Sequence, residues 1–193
     1  MSLIVLIGAQ AVGKMTVGRE LEKKIDGRLL YNHQTIDIFA NFLGYTNKAF
    51  SLSSEMRIAL FKAFVANKET NVTDAIIFTV LIDFDSEEDV QFLKDITAIF
   101  NEANESVYFI ELVADIETRL ERNIHEDRLL AKPSKRNVEF SRIELINSNK
   151  LYRLESTDGE IEALFPEVHY MKINNTKLSQ LEVTDIIVEH FDW

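Results

Sequence analysis

Residues 3–16 constrain the fold of this chain more than any other segment. Residues 3–7, LIVLI, form a continuous apolar run that stops at Gly8, which is typical of a strand buried on both faces of a parallel sheet. Beyond residue 16, Val17, Leu21 and Ile25 recur every four positions, which indicates a helix. A buried strand that passes through a short glycine loop into a helix is the start of a βαβ unit, so we expect an α/β fold.

The loop between this strand and this helix, GAQAVGKMT, fits the pattern G-x-x-x-x-G-K at Gly8, Gly13 and Lys14. In this setting successive backbone N–H groups and the helix N-terminus point at one place, where they can bind an anion. We therefore predict a phosphate-binding loop that consists of Gly8, Ala9, Gln10, Ala11, Val12, Gly13, Lys14, Met15 and Thr16. A tight strand-to-helix turn with an exposed lysine is the alternative, because the bare pattern recurs by chance.

The residue after the lysine departs from the usual pattern. Ser or Thr, whose hydroxyl contacts magnesium, commonly follows the lysine, whereas this chain has Met15. A thioether is a soft ligand and Mg²⁺ prefers hard oxygen ligands. Met15 therefore cannot itself hold the metal.

Four more apolar runs predict strands, at residues 28–31, within 74–82, at 107–113 and at 169–173. Between the strands, helices are predicted up to Gly27, at about 35–43, from Ser53 or Ser54, and at 87–103 after a Ser86 cap. Asp115 is predicted to cap a further helix, whose residues Ile116, Leu120 and Ile124 face inward. The last two helices are predicted at about 137–154 and from Ser179 to His190. Alternating strands and helices predict a parallel sheet with helices on both faces. No linker, repeat or low-complexity tract divides residues 1–193, so we expect one domain.

The composition excludes several classes of function. The chain has no cysteine, so disulfides, thiolate metal sites and cysteine nucleophiles are ruled out. Its net charge is −11, whereas nucleic-acid binders usually carry a basic face, so we expect no nucleic-acid partner. No apolar run approaches the roughly 20 residues of a membrane span, and the N-terminal run is too short for a signal peptide. We therefore expect a cytoplasmic protein with no membrane partner.

Basic residues are concentrated in one segment of this acidic chain. Seven of the 21 Lys and Arg residues lie within residues 119–142, which contain only four acidic residues. Such a segment favours a small anionic ligand, although a solvated helical face would give the same cluster.

The segment GAQAVGKMTVGREL resembles the first loop and helix of the small P-loop kinases, the group that contains adenylate kinases and shikimate kinases. Two further segments are similar to runs in poorly characterised shikimate-kinase-like proteins: Leu29-Leu30-Tyr31-Asn32-His33 and Pro133-Ser134-Lys135-Arg136. The resemblance covers the whole chain. It implies a three-layer α/β/α fold with a doubly wound, five-stranded parallel sheet in the order 2-3-1-4-5, and a lid at about residues 126–140.

The resemblance also implies ATP and Mg²⁺. Adenylate kinases have glycine and then threonine after the lysine, so Thr16 stands at the matching threonine. Magnesium would then be coordinated by phosphate oxygens, waters and an acid after the third strand, Asp83 or Asp85. Either acid is as well explained as a solvated loop residue or a helix cap.

Phosphoryl transfer of this kind relies on positioning and on charge stabilisation. Lys14 would bridge the terminal phosphates, while backbone N–H groups of the loop hold the others. The lid residues Lys135 and Arg136, with Arg119 or Arg122 behind them, would close over the γ-phosphate and exclude water.

The sequence departs from both well-known relatives at the acceptor side. Shikimate kinases share an Asp-x-Asp after the second strand and a glycine run after the third, where this chain has Tyr31-Asn32-His33-Gln34 and Asp83-Phe84-Asp85. Adenylate kinases place Asp-Gly-Phe-Pro-Arg after the third strand, and this chain does not. We therefore expect that the acceptor is neither that of the shikimate kinases nor that of the adenylate kinases.

Four residues are the candidates for binding the acceptor: Asn32, His33, Asp37 and Arg57. Asp37 could orient an acceptor hydroxyl or take its proton, and Arg57 would contribute if the acceptor is anionic. Three of the four have a plainer alternative, since His33 could be a hydrogen-bonded structural histidine, Asp37 a charge in the first turn of a helix, and Arg57 a surface charge.

The sequence thus predicts ATP-dependent phosphoryl transfer to a small-molecule acceptor by a monomer or homodimer. A nucleotide-binding regulatory protein and an ATP hydrolase remain as alternatives, and a nucleoside monophosphate kinase is less favoured.

Overall fold

The computed structural model describes residues 1–125 and 137–193. Its sheet has five strands: β1 (Ser2–Ile7), β2 (Gly27–Tyr31), β3 (Ala75–Val80), β4 (Ser106–Val113) and β5 (His169–Asn174). Every neighbouring pair is parallel, and the spatial order is β2-β3-β1-β4-β5. The predicted α/β class and the order 2-3-1-4-5 are confirmed.

Helices connect the strands. Within the described residues they are α1 (Lys14–Leu21), α2 (Asn32–Leu43), α3 (Asn47–Ala66), α4 (Glu87–Glu102), α5 (Ile116–Asn123), α6 (Val138–Leu151), α7 (Glu160–Leu164) and α8 (Gln180–Phe191). Ser86 caps α4, since its hydroxyl accepts a hydrogen bond from the Asp89 N–H. Ser179 and Glu182 form the predicted capping box at the start of α8.

Two apolar cores lie on the two faces of the sheet, which makes the fold three-layered. Along β1, Leu3, Val5 and Ile7 pack on the face covered by α3 and α4, where Phe61 and Phe100 are fully buried. The intervening residues of β1 pack on the opposite face against α1 and α8. Burial of each such side chain contributes roughly 1.5–3 kcal/mol, so β1 is held from both sides. This explains why its sequence is a continuous apolar run rather than an alternating one.

Several predicted element boundaries were wrong. Helix α2 begins at Asn32 rather than Thr35, because the Gln34 side chain folds back to accept the Tyr31 N–H and stabilises an earlier start. Helix α3 begins at Asn47 rather than at Ser53 or Ser54, because Thr46 provides the cap. Ser53, one of the two predicted helix starts, is fully buried inside the helix.

Helix α5 shows the largest difference. We expected Ile116, Leu120 and Ile124 to face inward, yet the buried residues are Arg119 and Asn123, and Ile124 is 54% exposed. Within the described residues the Asp115 side chain makes no capping bond. This helix packs against polar groups of neighbouring segments, so an apolar periodicity does not identify its inner face.

Smaller differences occur elsewhere. Helix α1 ends at Leu21, ahead of Gly27, and α6 ends at Leu151 rather than Leu154. The short helix α7 follows the turn at residues 157–159 and was not predicted.

The predicted lid lies mostly outside the described residues, and so do Lys135 and Arg136. Its last part is described: Asn137 caps α6 by accepting the Phe140 N–H at 3.0 Å. In the part of the chain that is described, no helix combines the length and the apolar character that crossing a bilayer requires.

Candidate active site

The loop at residues 8–13 connects the carboxyl end of β1, the central strand, to α1. Gly8 has a φ of 147°, and a Cβ atom there would collide with the Leu112 carbonyl oxygen of β4. Gly13 caps α1 in a left-handed conformation, with φ 111°. Only glycine adopts both conformations readily, so the two glycines of the motif are required by the backbone itself.

Lys14 lies at the first position of α1 and reaches back over the loop. Its Nζ atom donates to the carbonyl oxygens of Gly8 and Ala9, the latter at 2.9 Å. The ammonium group is thus held above the start of the loop. Lys14 is half-buried rather than fully exposed.

The next two residues point in different directions. Met15 is buried, with 7% of its surface exposed, so its thioether belongs to the interior. Thr16 is partly exposed, and its hydroxyl donates to the Gly13 carbonyl at 2.8 Å. The Thr16 oxygen keeps lone pairs that could meet a cation.

Two arginines of α5 contact the backbone of the loop. The Nε atom of Arg119 donates to the Gln10 carbonyl at 2.9 Å, and Nη1 of Arg122 donates to the Val12 carbonyl at 3.1 Å. Arg119 also donates to the Asn149 side chain of α6 at 2.7 Å. Burial lowers the pKa of both guanidinium groups, which are charged at neutral pH all the same.

Sequence reasoning missed Asn175, which follows β5. Its side chain is 3% exposed, and its Nδ2 donates to the Val12 carbonyl at 2.8 Å. Arg122 in turn donates to the Asn175 carbonyl at 2.8 Å. One signal could have found this residue, because ligands of open α/β sheets bind beyond the carboxyl ends of the strands and Asn175 stands at such an end.

The two acids after β3 are engaged with the segment that follows α6. Oδ1 of Asp83 accepts the backbone N–H groups of Asp85 and Arg153, each at 3.1 Å. The Asp85 carboxylate pairs with the Arg153 guanidinium at 2.8 Å. Asp85 is therefore occupied by a cation, and Asp83 is the better metal candidate of the two. The described residues contain no cluster of three or more His, Asp or Glu side chains that could hold a metal ion alone.

His33 and Asp37 form a pair on α2, one turn apart. His33 Nδ1 lies 3.0 Å from Asp37 Oδ1, and the same oxygen accepts the Tyr45 hydroxyl at 2.9 Å. Tyr45 was missed in the sequence because it stands in the connection between α2 and α3. These three side chains gather at the carboxyl end of β2.

Arg57 is buried rather than a surface charge, with 5% of its surface exposed. It donates to the Thr35 hydroxyl at 2.7 Å and to the Asn32 carbonyl at 3.1 Å. Its guanidinium group lies over the Phe78 ring, 5.4 Å from the centroid. Burial lowers the pKa of Arg57 to about 10, and its partners within the described residues are a hydroxyl, a carbonyl and an aromatic ring rather than a carboxylate. The Asn32 side-chain oxygen is buried without a hydrogen-bond partner among these residues.

The sheet order relates the two groups of residues. The loop follows β1 and the His33 pair follows β2, with β3 between these strands. All three carboxyl ends lie at one edge of the parallel sheet. The structure therefore places Lys14, Asp83 and Asp37 on the same side of the molecule, on adjacent strand ends.

No protein-family profile matches this chain, and no curated protein matches it. Solved structures, in contrast, do match this chain. A protein from Chloroflexus aurantiacus, provisionally named a kinase, is 14% identical with a TM-score of 0.58, and the match covers 99% of this chain and 96% of that one. A shikimate kinase from Acinetobacter baumannii, solved with shikimate, is 17% identical with a TM-score of 0.55 over 98% of this chain and 92% of its own.

The chain has the P-loop kinase fold. A sugar kinase from Janibacter supports this, at 13% identity and a TM-score of 0.55 over 100% of this chain and 95% of that one. Identities this low show the fold alone. The glycine loop follows β1, the central strand of this fold.

Proposed function

We propose that this protein catalyses ATP-dependent phosphoryl transfer to a small-molecule acceptor. The observation that carries the proposal is the glycine loop: it joins the central strand to α1, both motif glycines have positive φ, and Lys14 lies over its opening. A set of polar side chains after β2 stands at the same edge of the sheet. Phosphoryl transfer requires a group that binds the phosphates and acceptor-binding side chains that reach the same phosphate.

On the donor side, the Lys14 ammonium would exchange its carbonyl partners for phosphate oxygens. A phosphate oxygen adds Coulomb attraction to the ammonium that a neutral carbonyl oxygen does not supply, so the phosphates would displace the carbonyls. The backbone N–H groups between Ala9 and Thr16 would hold the remaining oxygens. The lid residues Lys135 and Arg136 would approach the γ-phosphate, as the sequence suggests, and they lie outside the described residues.

Magnesium would be held by oxygen ligands. The Thr16 hydroxyl and the Asp83 carboxylate are hard donors that suit it, whereas Met15 is buried and is a thioether. When bound, the metal neutralises charge on the phosphates.

On the acceptor side, Asp37 and His33 would orient the acceptor hydroxyl and receive its proton. Asn32 and Arg57 would complete the cleft. A buried guanidinium without a carboxylate partner in the described residues favours an acceptor that carries an anionic group.

Acceptor screening with γ-labelled ATP tests this function. Hydroxyl compounds with and without a carboxylate or phosphate group are supplied in parallel, and the labelled products are separated. A labelled small molecule that Lys14→Ala does not form supports a kinase. Release of labelled phosphate alone indicates a hydrolase, and ATP binding without turnover indicates a regulatory protein; either of these results contradicts the proposal.

A further inference from the structure

We infer that Arg119, Arg122 and Asn175 are positioning residues, which orient two peptide groups of the loop so that their N–H groups face the phosphates. The inference rests on the proposed function, since it takes a polyphosphate as the ligand of the loop. It assigns the two arginines a role different from the direct phosphate contact that their place in the sequence suggested.

The Val12 carbonyl is held by two donors from different segments of the chain. Asn175 Nδ2 donates to it at 2.8 Å and Arg122 Nη1 at 3.1 Å. The two donors also bond each other, since Arg122 donates to the Asn175 side-chain oxygen at 3.3 Å and to its backbone carbonyl at 2.8 Å. The backbone N–H of Asn175 is in turn fixed on the Val113 carbonyl of β4 at 2.8 Å. The Val12 oxygen is thus anchored to β4, β5 and α5 together.

The Gln10 carbonyl is held in the same way from one turn earlier on α5. Arg119 Nε donates to it at 2.9 Å, and Arg119 Nη1 is fixed on Asn149 of α6. Because Arg119 is only 2% exposed, its side chain has little freedom to leave the loop and follow a phosphate. The spacing of Arg119 and Arg122, three residues apart on a helix, places both on one face.

The consequence follows from the planarity of the peptide group. In a trans peptide the C=O and N–H bonds point in opposite directions. The carbonyls of Gln10 and Val12 point at α5 and Asn175, so the N–H groups of Ala11 and Gly13 point away from them. Two alternate N–H groups that face one way form the concave donor set that binds phosphate oxygens.

This anchoring also maintains a strained backbone. Ala11 has a φ of 60°, a left-handed conformation that costs a non-glycine residue about 1–2 kcal/mol. The peptides on both sides of Ala11–Val12 are the ones held by the arginines. Without these bonds the loop would relax, and its N–H groups would have to be reoriented each time a nucleotide binds.

Pyrophosphate binding to the full chain tests the inference. The variants are Arg122→Lys, which keeps the charge but loses the paired donors, Asn175→Ala, which leaves the charge unchanged, and the double variant. Lys177→Ala is the control, because it removes an exposed charge from the segment after β5 that also contains Asn175. Affinity is measured by calorimetry, and the amide resonances of Ala11 and Gly13 are followed by NMR.

We expect each single variant to weaken pyrophosphate binding about five- to tenfold and to reduce the shift of the Gly13 amide on binding, with the fold intact by circular dichroism. In the double variant the fold-loss of pyrophosphate affinity should be much smaller than the product of the two single losses, since both side chains hold the same carbonyl. Lys177→Ala should change the affinity less than twofold.

Wild-type affinity and amide shifts in Arg122→Lys would overturn the inference, because the charge alone would then suffice. Arg122→Lys is also the variant least at risk of misfolding, so its result alone is enough to test the inference. Failure of the wild-type chain to bind pyrophosphate would overturn the proposed function together with the inference, whereas binding that all variants retain overturns the inference alone.

Discussion

His33 Nδ1 lies 3.0 Å from Oδ1 of Asp37, one turn along α2. A carboxylate oxygen accepts hydrogen bonds, so the Nδ1–H of His33 is the donor in this pair. Tyr45 donates to the same oxygen and holds the carboxylate from the other side. The pair is thereby oriented at the carboxyl end of β2, where an acceptor would bind.

Replacement of this pair should impair transfer and leave nucleotide binding unchanged. With an acceptor in hand, Asp37→Asn and His33→Ala should each lower kcat by about 10²–10⁴, the range of general acid–base catalysis. Tyr45→Phe is the matched control: it removes the other bond to Oδ1 and should cost about threefold or less. Normal turnover and acceptor KM in both principal variants would show that the acceptor is bound elsewhere.

The fold was largely predictable from the sequence, because buried parallel strands and a glycine loop have strong local patterns. The strand order came from the resemblance to P-loop kinases, whose fold the structure matches. The loop residues could be named in advance for the same reason. The two glycines that the motif contains permit the positive φ angles at the two ends of the loop.

The rest depends on contacts between distant segments. Arg119 and Arg122 were placed behind the lid from their position among basic residues, whereas they bond loop carbonyls more than 100 residues away. Tyr45 and Asn175 carry no motif, and only the folded chain brings them to Asp37 and to Val12. The sequence left Arg57 open between an acceptor-binding residue and a surface charge, and its burial follows from the packing of α2 on α3.

Met15 should matter for stability and not for the metal. Because its side chain is 7% exposed, Met15→Ser should lower the free energy of unfolding by about 2–4 kcal/mol, measured by urea denaturation. The magnesium concentration for half-maximal turnover should stay within twofold of the wild type. Met15→Leu conserves the volume and should cost less than about 1.5 kcal/mol. An altered magnesium requirement in the serine variant at temperatures where it is folded would contradict this account.

Acid should weaken the junction between the Asp83–Asp85 loop and the segment after α6. Hydrogen bonds from Arg153 lower the pKa of Glu160 from 4.5 to about 2. A carboxyl whose folded pKa is lowered stabilises the protein above its unfolded pKa, and this contribution is lost as pH falls from about 4.5 towards 2.

The matched variant for this junction is Glu160→Gln. At pH 7 it should lower the free energy of unfolding by about 1 kcal/mol, the scale of a solvent-screened ion pair. At pH 2 most of this difference should be gone, because the carboxyl is then protonated in the unfolded chain and about half protonated in the folded protein. A difference that persists unchanged at pH 2 would mean that the carboxylate charge is not the stabilising factor.

The nucleotide site is tested most directly by ATP titration calorimetry of Lys14→Ala beside the wild type, in magnesium at fixed salt. Charge-assisted bonds to phosphate are worth about 1.5–3 kcal/mol, so the variant should bind ATP at least about tenfold more weakly while its thermal stability is retained. Equal ATP affinity in the two proteins, or no ATP binding by the wild type, would contradict the assignment of residues 8–16 as the phosphate-binding loop.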